Sequence, residues 1–368
     1  MIARRSIALA AVMSCCASQA NAGPLSATDM LQHFNVVVSG NLNSTSHVDG
    51  RTYVGGNVSG GEYVQHPGRT APSNYAGLTV GGNAGGNVKV NGLGAVVGGN
   101  ASGVNVNAGE SHVGGTASHS SFNGNVWVAG AASNVNFGQK IHAASYSGIN
   151  LNGKVLDAPT GTMDSTLAAS ASTDFSSVLG SLSTQLSALQ ATAGTSVLFS
   201  NNDQRVTFFG TAVDGLLVFD LTALDSKIFS STTTDLSFRL NGASTVIFNT
   251  DDKTLNLSAN FDEARSLGSS LIWNFAGAQS VTVGRSFGGQ VLVADGTFSN
   301  TGGTNVEGGV YAKNLNQYGE IHAQAFTGSL PSTAQEGESV AVPEPASLAL
   351  LLTGVGMIGF VGRRRRTH

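Results

Sequence analysis

The residues able to do acid–base chemistry are few and scattered. Asp214, Asp220 and Asp225, the adjacent pair Asp251 and Asp252, and Asp262 with Glu263 are the carboxylate groupings available to a polysaccharide-cleaving enzyme. Such chemistry needs two carboxyl groups held close together on one face. Each of these falls in a turn or polar stretch, where a solvated carboxylate is ordinary, so no catalytic residue is assigned. The eight histidines show no metal-binding spacing: His112 and His119 are seven apart, without a cysteine or carboxylate cluster beside them. No metal ligand and no cofactor is therefore expected. His142 and His322 recur in matching phrases, Ile141-His142-Ala143 and Ile321-His322-Ala323, and are read as turn histidines bonded to backbone.

The glycines invite two further readings. Gly92, Gly94 and Gly98 have the look of a nucleotide loop, but no strand–turn–helix unit surrounds them to present backbone amides to a phosphate. Calcium-binding solenoid repeats place Asp in each glycine-rich turn, whereas here the turns carry Asn, which cannot supply the charge of a calcium cage. Chemistry thus gives way to architecture.

Both ends are read as targeting segments and set aside from the fold. Arg4 and Arg5, the short apolar run from Ile7 to Met13, and Ala20-Asn21-Ala22 before Gly23 form a secretory signal over residues 1–22, cut by signal peptidase between Ala22 and Gly23. The apolar run is far shorter than the roughly 20 residues a spanning helix needs. The only cysteines, Cys15 and Cys16, lie within the signal segment 1–22, so the mature chain has no disulfide to rely on. At the other end, an uncharged apolar stretch from Ala346 to Val361 precedes Arg363, Arg364, Arg365 and Arg366. As a helix over 346–362 it would be about 24 Å long, the short limit for a bilayer span, with its arginines held on the cytoplasmic side. Ahead of it stands Val342-Pro343-Glu344-Pro345. Pro-Glu-Pro, apolar helix and arginine cluster, in that order, resemble the PEP-CTERM sorting signal, which implies recognition by an exosortase-type sorting enzyme and at least transient contact with the membrane.

Setting the two ends aside leaves 12 basic and 21 acidic residues, a net charge of −9. An acidic body without a basic stripe excludes nucleic acid as a partner. With 49 glycines and only 11% charged residues, the composition would suggest disorder if the apolar residues were not regularly placed.

They are regularly placed. Leu78-Thr79-Val80-Gly81-Gly82-Asn83, Ala95-Val96-Val97-Gly98-Gly99-Asn100, His112-Val113-Gly114-Gly115 and Val126-Trp127-Val128 repeat a short strand followed by a turn, with Tyr53-Val54-Gly55-Gly56-Asn57 as an earlier copy. Val80, Val97, Val113 and Val128 recur at intervals of 17, 16 and 15. A period near 16 with two or three short strands is one coil of a β-solenoid, and is too short for a propeller blade or a sandwich. Glycine, and after it Asn, accepts the positive φ expected of a tight corner. Small side chains let corners stack at about 4.8 Å. The fold expected is all-β, a parallel β-helix.

One stretch departs from the pattern. Between 165 and 192, Phe175, Val178, Leu179, Leu182, Leu186 and Leu189 fall at helical spacing, with Asp174 as cap and Gly194 as stop. This predicts one inserted helix packed alongside the solenoid or over an end. It separates two solenoid halves, 31–158 and 195–328. Strands in the second half are predicted at 206–209, 216–219, 236–240, 245–248, 271–275, 281–283, 291–293 and 310–312, and the segment 331–341 is read as a flexible spacer.

Two phrases carry a resemblance to a known family. Phe34-Asn35-Val36-Val37-Val38-Ser39-Gly40-Asn41-Leu42 with Gly50-Arg51 and Val54-Gly55-Gly56-Asn57, and the late Gly289-Gln290-Val291-Leu292-Val293-Ala294 with Gly319-Glu320-Ile321-His322, resemble the choice-of-anchor A family over about residues 31–330. Asn41 departs from the Asp expected there. The resemblance implies an ice-binding-like adhesive domain, a right-handed β-helix with a helix alongside, joined to an interchangeable surface anchor. The expected function is non-enzymatic display at the cell surface or in extracellular matrix, with extracellular polysaccharide as a partner. An ice- or glycan-binding module and a polysaccharide-acting enzyme are the alternatives.

Overall fold

The computed structural model describes residues 23–331. The predicted signal segment before Gly23, the spacer beyond Pro331 and the tail helix at 346–362 lie outside the described residues. Among those described, no helix is long and apolar enough to cross a membrane.

The strands form a solenoid of three faces. A first-face strand such as Ala95–Val97 is followed by a second-face strand, Ala101–Ser102, and a third-face strand, Val104–Val106. Each then pairs in parallel with its counterpart one coil on: Ala95 with Ser111, Ala101 with Ala117, Asn105 with Ser121. The side chains of Val80, Val97, Val113, Val128, Ala84, Ala101, Ala117, Val90 and Val106 turn inward and form one continuous core. A parallel ladder covered on its inner side favours apolar side chains, so the inward positions read mostly as Val, Ala, Leu and Phe, with Thr52 and Ser111 as buried polar exceptions on the first face.

The order of coils differs from the order of sequence. Val36–Val38, the first strand of the chain, pairs with Thr52–Val54 on one side and with Val310–Ala312 on the other. Leu42 likewise lies opposite Leu315, and Val48 opposite Ile321. The chain therefore starts in the middle of the stack and winds outward to Ile141–His142. It then returns along the outside and restarts at the far end with Leu216–Asp220, winding back through Thr245–Thr250, Leu271–Phe275 and Phe287–Asn300 to meet its own beginning. The last strand at that far end is Ser196–Ser200, which pairs antiparallel with Arg205–Thr211 and ends the parallel ladder.

The return path contains two helices where the sequence pattern predicts one. A short helix α1 (Ala27–His33) opens the chain, closed at its start by a capping box between Ser26 and Asp29. Helices α2 (Gly161–Ser170) and α3 (Phe175–Ser187) follow the first half. The break falls at Ser172 and Thr173, whose hydroxyls are drawn into other bonds: Ser172 Oγ donates to the Ala169 carbonyl, and Thr173 Oγ1 accepts from the Leu25 amide. Asp174 caps α3 by accepting from the Ser177 amide. Gly194, with φ of +84°, lies beyond the end of α3 at Ser187.

Helix α3 lies along the first face rather than over an end. Phe175, Leu179, Leu182 and Leu186 pack with Val37, Val218, Ile247, Ile272, Leu292 and Tyr311, the outward side chains of the first face, forming a second core. This explains why Val36–Val38 is buried at every position. A buried amide network fixes the helix over its strands: Asn274 Nδ2 donates to the Ser183 carbonyl (3.0 Å) and to Asn249 Oδ1 (2.9 Å), and Asn249 Nδ2 donates to the Leu186 carbonyl (2.7 Å) near the helix end.

The repeat glycines serve a different purpose from the one their type suggests. Gly55, Gly56, Gly81, Gly82, Gly98, Gly99, Gly114 and Gly115 occupy the bends between first and second faces, yet none is among the residues with positive φ. A Cβ at Gly56 would lie 2.7 Å from the Gly40 carbonyl oxygen, and one at Gly82 2.7 Å from the Gly56 carbonyl oxygen. Close approach of stacked backbones, not backbone handedness, excludes a side chain here.

Candidate functional site

The second face is open to solvent from one end of the stack to the other, and its outward residues form two columns. Strand register places Asn256, Thr282, Ser299, Asn316, Asn43, Ser59, Gly85, Ser102, Ser118, Ser133 and Ser147 in one line. Two residues earlier on each strand run Thr254, Ser280, Thr297 and Asn314, then the turn residues Asn41, Asn57, Asn83, Asn100 and Thr116. None of these is buried, none is charged and none is aromatic. The rungs follow one another at roughly 4.8 Å, and the columns are about 6.6 Å apart, two residues along a strand.

The columns are fixed by their own bonds. Asn41 Oδ1 accepts from the Asn57 amide, Asn57 Oδ1 from the Asn83 amide, Asn83 Oδ1 from the Asn100 amide and Asn100 Oδ1 from the Thr116 amide, each at 2.8 Å. Asn41 in turn donates from its amide to Asn314 Oδ1 across the junction of the two halves. In the other column Ser118 Oγ donates to Ser102 Oγ at 3.2 Å. The result is a flat, rigid, uncharged array of hydroxyl and amide groups.

The carboxylates singled out by sequence do not assemble a comparable site. Asp220 and Asp251 border one shallow cleft with Thr222, Asn249 and Thr250. Asp225 is buried and accepts from Thr250 Oγ1 at 2.8 Å. Burial raises the Asp252 carboxyl above its ordinary range, and the neighbouring Asp225 and Asp251 raise it further. Asp214 sits in a positive-φ turn, as does Glu263 beside Asp262. His142 and His322 are not counterparts. His142 lies on the first face, stacked on Trp127 with ring centroids 3.6 Å apart, its Nδ1 3.2 Å from the Leu156 carbonyl oxygen. His322 lies on the third face, in the strand that pairs with Val48.

Around His322 the junction of the two halves collects charge that sequence spacing hides. Its Nδ1 is 2.7 Å from Glu307 Oε1 and its Nε2 2.7 Å from Glu320 Oε2. His47 Nε2 is 3.5 Å from the same Glu320 oxygen, and Arg265 Nε donates to Glu307 Oε2 at 3.2 Å. Burial opposes the charged form of His322, but its bonds to Glu307 and Glu320 outweigh this and raise its pKa. Burial likewise opposes ionised Glu307, and the bonds from His322 and Arg265 hold its carboxyl below the ordinary range.

A family model described as "Putative Ice-binding-like adhesive domain" matches residues 27–323, the whole three-faced stack with α1. The chain belongs to this adhesive-domain family. A second model, the PEP-CTERM protein-sorting motif, matches residues 341–366 and implies processing by an exosortase-type sorting enzyme. No curated protein and no solved structure matches the chain. Membership in the ice-binding-like adhesive family agrees with the resemblance drawn from the Phe34–Asn57 and Gly289–His322 phrases.

Proposed function

We propose that this is an exported, non-enzymatic surface or matrix protein that adheres through its second face to a repeating hydroxyl-bearing polymer, an extracellular polysaccharide. The two columns of Ser, Thr and Asn are the observation that carries this reading. Each rung offers one or two neutral hydrogen-bonding groups, worth little alone. A rigid row of them gains avidity because, once one rung engages, the next is already in place. Delivery follows from the two ends: removal of residues 1–22 by signal peptidase after Ala22, passage through an inner-membrane intermediate held by the helix at 346–362, and recognition of Val342, Pro343, Glu344, Pro345 and Arg363 to Arg366 by the sorting enzyme. We take the coil to be right-handed, as parallel crossovers almost always are.

The test is co-sedimentation of the purified chain with insoluble polysaccharide. Because the face carries no charge, binding is expected to persist at ~1 M salt, where charges more than about 3 Å apart are screened. Ser102→Tyr with Ser118→Tyr should abolish it, while Asn105→Tyr on the third face should not. Binding untouched by the second-face pair would refute the assignment. A second reading, adsorption to ice, draws on the same regular face and the family description, and would replace the first if the chain shaped ice crystals but left every polysaccharide in solution. Polysaccharide turnover lost with Asp251→Asn and Asp252→Asn would overturn the non-enzymatic reading.

A further inference from the structure

The junction of the two halves holds an arrangement that the adhesive face does not use. His47 comes from the first coil of the chain, and Glu320 and His322 from the last, 273 to 275 positions away in sequence. Their ligand-bearing atoms all lie within 4.8 Å of one another. The closest pairs, His322 Nε2 to Glu320 Oε2 at 2.7 Å and His47 Nε2 to the same oxygen at 3.5 Å, bracket the ~3.4 Å that separates two ligands of a tetrahedral ion with bonds of about 2.0–2.1 Å.

The surroundings match what a metal-binding histidine requires. A ligating imidazole is oriented by donating its other ring N–H to a carboxylate, and His322 Nδ1 meets Glu307 Oε1 at 2.7 Å. Glu307 is itself held by Arg265. Asp49 follows Val48, whose register partner is Ile321, and is 8% exposed. Its Oδ2 accepts from the Ala323 amide, while its buried Oδ1 has no hydrogen-bond partner, with His66 Nε2 at 3.6 Å. With the imidazoles neutral, as ligation requires, the pocket sets Asp49, Glu307 and Glu320 against the one guanidinium of Arg265. His47, Glu320 and His322 are each partly exposed, which leaves a side open for water as a fourth ligand.

We propose that His47, Glu320 and His322 bind a divalent transition metal of the zinc type, with Glu307 as the group that positions His322. Two imidazoles and one carboxylate suit zinc, copper or nickel and do not suit calcium or magnesium, which prefer oxygen throughout. The ion joins the third-face strand His47–Val48 to Ile321–Ala323 and so clamps the two halves where they meet.

Titration of the purified full-length chain with zinc, followed by competition against a chromophoric chelator, tests this. One zinc per chain is expected, not displaced by excess magnesium or calcium. Binding should be lost with His47→Ala and with His322→Ala, weakened 10- to 100-fold by Glu307→Gln, and unchanged by His142→Ala. Cobalt should give the intense visible absorption of a four-coordinate ion, and lose it in His47→Ala. Circular dichroism of each variant distinguishes a missing ligand from a missing fold, and His47, on the surface, is the variant least able to disturb the core. Failure to bind zinc in the native chain, or zinc retained by both histidine variants, would overturn the proposal. In that case His322 is only a hydrogen-bonded bridge between Glu307 and Glu320.

Discussion

Asn274 is the point at which the helix on the outside is tied to the solenoid, and replacing it should be costly in a calculable way. The side chain is wholly buried; it donates to the Ser183 carbonyl, Ser187 Oγ and Asn249 Oδ1, and accepts from Ser183 Oγ at 2.7 Å. Asn274→Leu keeps the γ-branched shape at a larger volume and leaves Ser183 Oγ and Asn249 Oδ1 buried with fewer partners. At about 1–3 kcal/mol for each of the two orphaned groups, less a gain of about 1–2 kcal/mol from burying a leucine, the net loss lies at roughly 0–5 kcal/mol and centres on about 2.5 kcal/mol. Removing the partners as well, in Asn274→Leu/Asn249→Leu/Ser183→Ala, should recover most of it, because an apolar interface of the same shape has nothing left unpaired. The shortfall is the Leu186 carbonyl, which Asn249 Nδ2 no longer satisfies. Urea denaturation followed by fluorescence reads this directly, since Trp273 is fully buried next to Asn274. Midpoints are to be compared at matched slopes, as stacked coils need not unfold together. A single variant more stable than the native chain, or a triple variant no more stable than the single, would refute the account of the network.

Gly99→Ala should destabilise by about 1–3 kcal/mol through overpacking, because its Cβ would lie 2.5 Å from Asn83 Oδ1 and 2.9 Å from the Gly82 carbonyl; thermal unfolding checks this, with Gly242→Ala as a positive-φ control that has open space around it. Asp174→Asn tests the cap of α3. Hydrogen bonds from Ser177 hold the Asp174 carboxyl below its ordinary value, so its charge-dependent stabilisation is present above the unfolded pKa near 4 and lost as pH falls through the lower folded value. Wild type and variant should therefore converge in melting temperature at acid pH and separate toward neutrality. Arg51 is buried without a carboxylate; burial lowers its pKa to about 10, and its guanidinium donates to the carbonyls of His33, Ala71 and Tyr75. Arg51→Met should release the excursion between Tyr63 and Leu78, seen as new proteolytic cuts near Arg69 at unchanged coil content by circular dichroism.

Much of the architecture was legible because the coil imposes a period. Val80, Val97, Val113 and Val128 mark successive first-face strands, and the cap at Asp174 follows from residue type alone. In the second half the period fails as a guide: Val246 to its partner Leu271 spans 25 residues, and Val291 to Val310 spans 19. Nothing local says that Val310 stacks on Val36, since strand pairing is settled by which edges remain open once the whole chain is placed. The break between α2 and α3 escapes the apolar spacing because hydroxyls at Ser172 and Thr173 decide it. The polar columns were hidden by variety of residue type. Thr232 and Thr234, the clearest Thr-x-Thr phrase of an ice-binding ladder, lie in a loop, whereas the columns mix Ser, Thr and Asn. His47 and His322 could not be associated by any spacing rule, being brought together only by the closing of the stack.

The middle start of the chain bears on how the molecule is held. The described residues begin at α1 and end at Leu330 and Pro331; Met30, Leu31, Phe326 and Leu330 share the core beneath α3, and the Ser329 amide donates to Thr245 Oγ1. Both ends of the described residues therefore leave from the helix-covered side, partway along the stack. An attachment made there would moor the stack by its flank, like a boat tied alongside rather than at the bow. It would leave the second face clear over its whole length, so that a fibre drawn across the polar columns could meet all coils at once and a pull would be shared among them instead of peeling the first.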